Sequence, residues 1–152
     1  MTTYIVLILL AITFMVVTTY MRKRNIKNSY EQALRHIFAC NATWPMRLNQ
    51  IEKMLTVGGL YVNEYPPLEL GWNDKVMCMT ITPQMASGRF ISESHCKLYS
   101  RINRIIYDHD LSKHPELKEE LIRATSILNK LRYDIITVRP NLEDSLACMQ
   151  HK

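Results

Sequence analysis

The sequence predicts a helix-rich α+β protein. One N-terminal transmembrane helix continues into an amphipathic helix, and a head combines helices with a small antiparallel sheet. Three observations predict this. Residues 1–21 carry no charged side chain, whereas all 19 Lys and Arg and all 14 Asp and Glu lie in residues 22–152. Helical apolar spacing recurs in four later segments. Two others, 75–82 and 132–138, are rich in β-branched residues and end at prolines. A length of 152 residues suits one domain beside an anchor. With 47% hydrophobic residues, 4 Gly and 6 Pro, the chain is neither collagen-like nor low-complexity.

Residues 4–21 read YIVLILLAITFMVVTTYM. As a helix, residues 1–21 span roughly 31 Å, close to the hydrocarbon thickness of a bilayer. Tyr4 and Tyr20 fall near its ends, where amphipathic rings favour the interface. A secretory signal would need a basic n-region and a small-x-small cleavage site. Residues 16–20, VVTTY, offer no such site, so the segment reads as an uncleaved anchor.

Residues 29–39 place Tyr30, Ala33, Leu34, Ile37 and Phe38 on one helical face, and Asn25 or Asn28 can cap them. With no Gly or Pro between residues 4 and 44, the anchor can run straight into this helix. Pro45 suits the first turn of another helix carrying Met46, Leu48, Ile51, Met54 and Leu55. Gly58 and Gly59 end it, because glycine accepts the left-handed backbone of a helix C-terminus. Residues 60–62 are a short extended piece, and 65–67 and 70–74 are turns. Residues 75–82 form a strand stopped by Pro83. Ser92 caps a helix over 93–107 with Cys96, Tyr99, Ile102, Ile105 and Ile106 apolar. A polar loop, 108–114, leads to Pro115 and a helix to about Lys130 with Leu117, Leu121, Ile122, Ala124, Ile127, Leu128 and Leu131 inward. Residues 132–138 form the second strand, broken by Pro140. The division is therefore a transmembrane anchor (1–21), a basic collar with an amphipathic helix (22–42), and a soluble α+β domain (43–152).

The net charge of +5 is local. Residues 22–35 carry five positive charges and one negative, against fourteen and thirteen in 36–152. Arg22, Lys23, Arg24 and Lys27 form a membrane-proximal collar suited to anionic lipid head groups. A nearly neutral head is unlike a nucleic-acid-binding domain. The collar, by the positive-inside rule, places the head in the cytoplasm. Four widely spaced cysteines, Cys40, Cys78, Cys96 and Cys148, suit either two disulfides in an oxidising compartment or four buried thiols in a reducing one.

No catalytic, cofactor or metal constellation stands out. Asp108, His109, Asp110 and His114 could suggest a metal, but Asp and His are common turn and cap residues. His95 and Cys96 are adjacent on a helix and point about 100° apart, so they do not make a thiol–imidazole pair. The sequence has no Gly-rich phosphate loop, G-x-S-x-G or H-E-x-x-H. Asn41-Ala42-Thr43 matches the glycosylation sequon, which such triplets do often by chance. Nine methionines read first as core and membrane filler.

The layout resembles type IV pilins and pilin-like proteins, especially the type IVb class. In those proteins a hydrophobic half-helix continues into an amphipathic half packed on a small α+β head. Residues 3–21 and 26–39 would be the two halves. The stretch 77–83 followed by Cys96-Lys97-Leu98 looks like a pilin strand leading through a proline to a cysteine at a helix start. The resemblance implies a bridge from Cys96 to Cys148, leaving Cys40 and Cys78 to pair or stay free, and it implies a periplasmic head. Residues 1–15 lack the basic leader, the glycine and the acidic residue of a prepilin. The expectation is therefore a non-enzymatic, single-span inner-membrane component of type IV pilus biogenesis, as in the bundle-forming pilus system. It would bind the lipid bilayer and other pilus-assembly membrane proteins, with no cofactor, small-molecule substrate or nucleic acid. The alternatives are a minor pilin-like subunit and a cytoplasm-facing tethered adaptor or regulator. Trp44, Tyr65 and Trp72 are candidate contact residues, since Trp and Tyr dominate interface energetics.

Overall fold

The computed structural model describes residues 2–58, 64–70 and 74–150, with side chains for 3–58, 64–70 and 75–137. The protein is 83% helical, with no strand among the described residues. Helix α1 spans Thr2–Val57, α2 Asp74–Met77, α3 Gly88–Asp108 and α4 Pro115–Gln150, and a single 3₁₀ turn, Leu111–Lys113, precedes α4. The helix-rich expectation holds. The antiparallel sheet does not.

Helix α1 is unbroken for 56 residues, about 84 Å at 1.5 Å per residue. It runs through Pro45, which the sequence suggested as a helix start. Proline removes one backbone donor and crowds the preceding turn. Burial of Trp44 and Leu48 on either side holds the helix together there. The helix ends at Gly58, whose φ of 67° is the left-handed conformation glycine accepts at no steric cost. Its N–H donates to the Met54 carbonyl at 3.1 Å.

The head begins at Tyr30. Its core uses the same spacing in three helices. Tyr30, Ala33, Ile37, Cys40, Trp44, Arg47, Ile51 and Met54 are buried on α1. Ile91, His95, Leu98, Ile102 and Ile105 are buried on α3, and Leu117, Leu121, Ala124, Leu128, Leu131 and Ile135 on α4. Alternating steps of three and four keep one face inward, as in bundle packing.

The long-range contacts fix the topology. Phe90 packs beside Phe38, with ring centroids 5.5 Å apart, and Arg101 reaches Glu52 at 2.8 Å, so α3 runs parallel to α1. Arg47 meets Glu120, and Ile37 and Ile135 line one cleft, so α4 returns antiparallel. The connection from α1 to α3 must travel back down the bundle. The Trp44 Nε1–H donates to the Glu69 carbonyl at 2.9 Å, Arg35 to the Met77 carbonyl, and the Tyr30 hydroxyl to the Ala86 carbonyl at 3.3 Å.

Neither predicted strand forms. Residues 75–82 start within α2 and then form turn and coil, with Val76, Met79 and Ile81 packed on the core edge. Residues 132–138 lie inside α4, where Ile135 continues the seam set by Leu128 and Leu131. The predicted extended piece at 60–62 lies outside the described residues. Helix α3 starts earlier than expected. Its cap is Ser87, whose hydroxyl accepts the Phe90 N–H at 3.3 Å, and not Ser92.

Candidate functional site

The first candidate region is the exposed part of α1. Among the described residues one helix, near the N-terminus, is long and apolar enough to cross a membrane, and none of its most apolar window is buried in the head. Leu7, Leu9, Phe14 and Val16 are all more than half exposed. Thr13, Thr18 and Thr19 return their hydroxyls to carbonyls one turn back, at 2.7–3.0 Å. This satisfies them without water, as an apolar surrounding requires. Arg22, Lys23, Arg24 and Lys27 follow on the same rod and are exposed. Lys27 lies 4.0 Å from Glu31, one turn on.

The second region is the end of the head farthest from this segment. Arg47 donates to both oxygens of Glu120, at 2.9 and 2.8 Å, and to Gln50 at 3.0 Å. Glu120 Oε1 also accepts the Leu68 N–H at 2.9 Å. Both ionic groups are buried, so each depends on the other for its charge. The pair ties α1, α4 and the crossover together. A cleft of about 600 Å³ opens beside it, lined by Met54, Pro67, Lys113, His114, Glu116 and Arg123 among others. Its walls mix both signs of charge, and its central ion pair is already satisfied.

The third region is smaller. A cleft of about 200 Å³ lies between Ile37 of α1, Gly88, Ile91, Ser92, His95 and Cys96 of α3, and Arg132, Ile135 and Ile136 of α4. His95 is buried and its Nε2 lies 2.9 Å from the Leu128 carbonyl, the geometry of an N–H donor to that oxygen. Its ring stacks on Tyr99 at 5.8 Å. Burial holds its pKa below the ordinary value, only partly offset by the Leu128 bond. The sequence argument separated His95 from Cys96, yet both border this cleft, because a flank between two helices collects neighbouring positions.

Of the two alternatives for Cys40 and Cys78, pairing or staying free, the structure has them free. Cys40, Cys78 and Cys96 are free thiols, so the Cys40–Cys78 bridge is not formed. Cys40 is fully buried, and burial pushes its thiol up to about 12. Cys78 and Cys96 are exposed. The side chain of Cys148 lies outside the described residues, and so does the bridge to it. Among the contact candidates, Trp44 is only 2% exposed and belongs to the core. Tyr65 is exposed on the crossover, and Trp72 lies outside the described residues. Ile122, expected to face inward, is exposed, and so are Tyr133 and Ile136, which the sequence placed in a strand. Their spacing places them on one outward stripe, a signal visible once α4 is known to continue.

In the 108–114 loop, the Asp110 carboxylate accepts the Ser112 N–H at 3.0 Å and caps the 3₁₀ turn. Hydrogen bonding to the Ser112 side chain, and then to its N–H, lowers the Asp110 pKa. Among the described residues no three His, Cys, Asp or Glu converge to hold a metal ion. Comparison of the chain with models of protein families, with curated proteins and with solved structures finds no match.

Proposed function

We propose that the chain is a single-span membrane protein whose helical head is a non-enzymatic docking module for other membrane proteins. The observation that carries this reading is the continuity of α1. One helix presents an apolar, unburied surface over residues 3–21 and then supplies the central buried face of the head. Such a helix fixes the head rigidly above the bilayer. The setting we propose is type IV pilus biogenesis, with the head on the periplasmic side of a bacterial inner membrane. Its support is the resemblance in layout, an apolar half-helix running into an amphipathic half. The lack of a sheet among the described residues removes the pilin-like head from that resemblance. On the head, the α4 stripe of Ile122, Tyr133 and Ile136, together with Tyr65, offers apolar contact area to a partner.

A second reading keeps the anchor and turns the head to the cytoplasm as a tethered adaptor. The exposed collar Arg22, Lys23, Arg24 and Lys27 favours it, as do the three free thiols. An alkaline phosphatase fusion after Lys152 separates the two. Activity is the result expected for a periplasmic head, and an inactive, full-length fusion assigns the adaptor reading. Release of the chain from membranes by alkaline carbonate would sink both.

A further inference from the structure

The cleft at the flank of α3 and α4 has a chemistry that the docking role does not use. Its floor is aliphatic: Ile37, Ile91, Ile135 and Ile136. Its polar groups are the Ser92 hydroxyl, the Cys96 thiol, the Arg132 guanidinium and the His95 ring. Arg132 has no carboxylate partner among the described residues, whereas Arg47, Arg89, Arg101, Arg104 and Arg123 each have one. His95 spends Nε2 on the Leu128 carbonyl, which leaves Nδ1 as the ring atom without a bond. So, among the described residues, the cleft presents one unpaired planar cation and a hydroxyl over an apolar surface, with no acidic lining residue.

We infer that this cleft binds a small monocarboxylate with a short alkyl chain. The carboxylate would sit on the Arg132 fork, with the Ser92 hydroxyl as a second donor, and the chain would lie on the four isoleucines. Arginine matches a carboxylate with two parallel N–H···O bonds, and a lone cation suits a single negative charge. The cavity, about 200 Å³, is below the range of about 300–1,000 Å³ typical of drug-sized ligands. That selects a short chain over a membrane-length acyl chain. The site lies wholly in the head, so it stands apart from the topology reading above, and it shares only Ile136 with the proposed contact stripe.

Cys96 provides the readout, because its exposed thiol borders the cleft, whereas exposed Cys78 does not line it. The full chain in lipid nanodiscs is alkylated with N-ethylmaleimide, and the rate at each cysteine is followed by peptide mass spectrometry. Hexanoate is the probe, and hexanamide, of the same shape without the charge, is the control. Expected is saturable protection of Cys96, about tenfold at a concentration ten times Kd, with Cys78 unchanged. Hexanamide should not protect. Arg132→Gln should abolish the protection and Arg132→Lys retain part of it, both with unchanged circular dichroism because Arg132 is exposed. Absence of protection, equal protection by hexanamide, or full protection in Arg132→Gln would overturn the assignment. None of these outcomes depends on which side of the membrane the head occupies.

Discussion

The two halves of α1 share one backbone and meet opposite surroundings. From residue 3 to 21 the helix is apolar on every face and unburied. From Tyr30 to Met54 it is apolar at every third or fourth position, and those positions are the core. A helix apolar all round needs an apolar solvent, whereas a striped one needs a partner face. The pattern of apolar residues, more than helix propensity, therefore decides what each half does. The exposed residues 22–25 and 27–29 divide the two regimes.

The strongest way to break the head half is at its buried charge. Arg47→Leu leaves Glu120 buried without its counter-ion, and loss of one partner of such a pair costs about 3–5 kcal/mol. Thermal unfolding of the head should report that loss. The double variant Arg47→Leu with Glu120→Leu should recover much of it, since two apolar residues restore a consistent interior. No comparable single change exists in residues 3–21, where no charge is present to orphan.

The contrast sharpens with one chemistry placed in both halves. Ile51→Ala removes a fully buried side chain and should destabilise the head by about 2–5 kcal/mol through lost transfer energy and a cavity. Ile8→Ala, at a position 58% exposed, should leave the unfolding temperature of the head unchanged. An equal effect of both substitutions would show that residues 3–21 pack on the head after all.

Much of this division is legible in the amino-acid order alone. The uncharged segment, the collar, the stripe from Tyr30, the stop at Gly58 and the start at Pro115 all follow from local chemistry. The departures share a cause. Residues 132–138, RYDIITV, carry β-branched residues that outweigh a helical pattern over seven positions. Over a longer window, Leu117, Leu121, Ala124, Leu128, Leu131 and Ile135 keep one repeat, and tertiary burial of that repeat wins. Pro45 misleads because proline is common at helix starts, while burial of Trp44 and Leu48 sustains the helix across it. The Arg47–Glu120 pair spans 73 positions and has no local signal at all. The small cleft is illegible too, since His95, Cys96 and Arg132 converge only once 132–138 is helical.

Ser87→Ala tests the element that covers the head half. It removes the hydroxyl that accepts the Phe90 N–H, and loss of such a cap costs about 1 kcal/mol. Urea unfolding should show the midpoint shifting with an unchanged slope. Ser92→Ala, the cap expected from sequence, should have a smaller effect, because Ser92 lies within α3.

The smallest expected effect compares ion pairs in the two halves. Glu52 accepts from Arg101 at 2.8 Å and from Arg104 at 3.3 Å on the head half. Glu31 lies 4.0 Å from Lys27 in the collar. The Arg101 hydrogen bond, reinforced by the charges of Arg101 and Arg104, holds the Glu52 carboxyl below its ordinary value of 4.5 against some desolvation. The folded state then binds that proton less readily than the unfolded chain. The stabilisation is fully present above the unfolded value and is lost as pH falls through the lower folded value. Because Glu52 is only partly buried, with 27% of its side chain exposed, its worth is that of a partly screened pair, about 1 kcal/mol. Unfolding temperatures of the wild type and Glu52→Gln should therefore differ slightly at pH 7 and converge in acid. Glu31→Gln should match the wild type across the same range. A Glu52→Gln difference that persisted into acid would assign its effect to packing instead of charge.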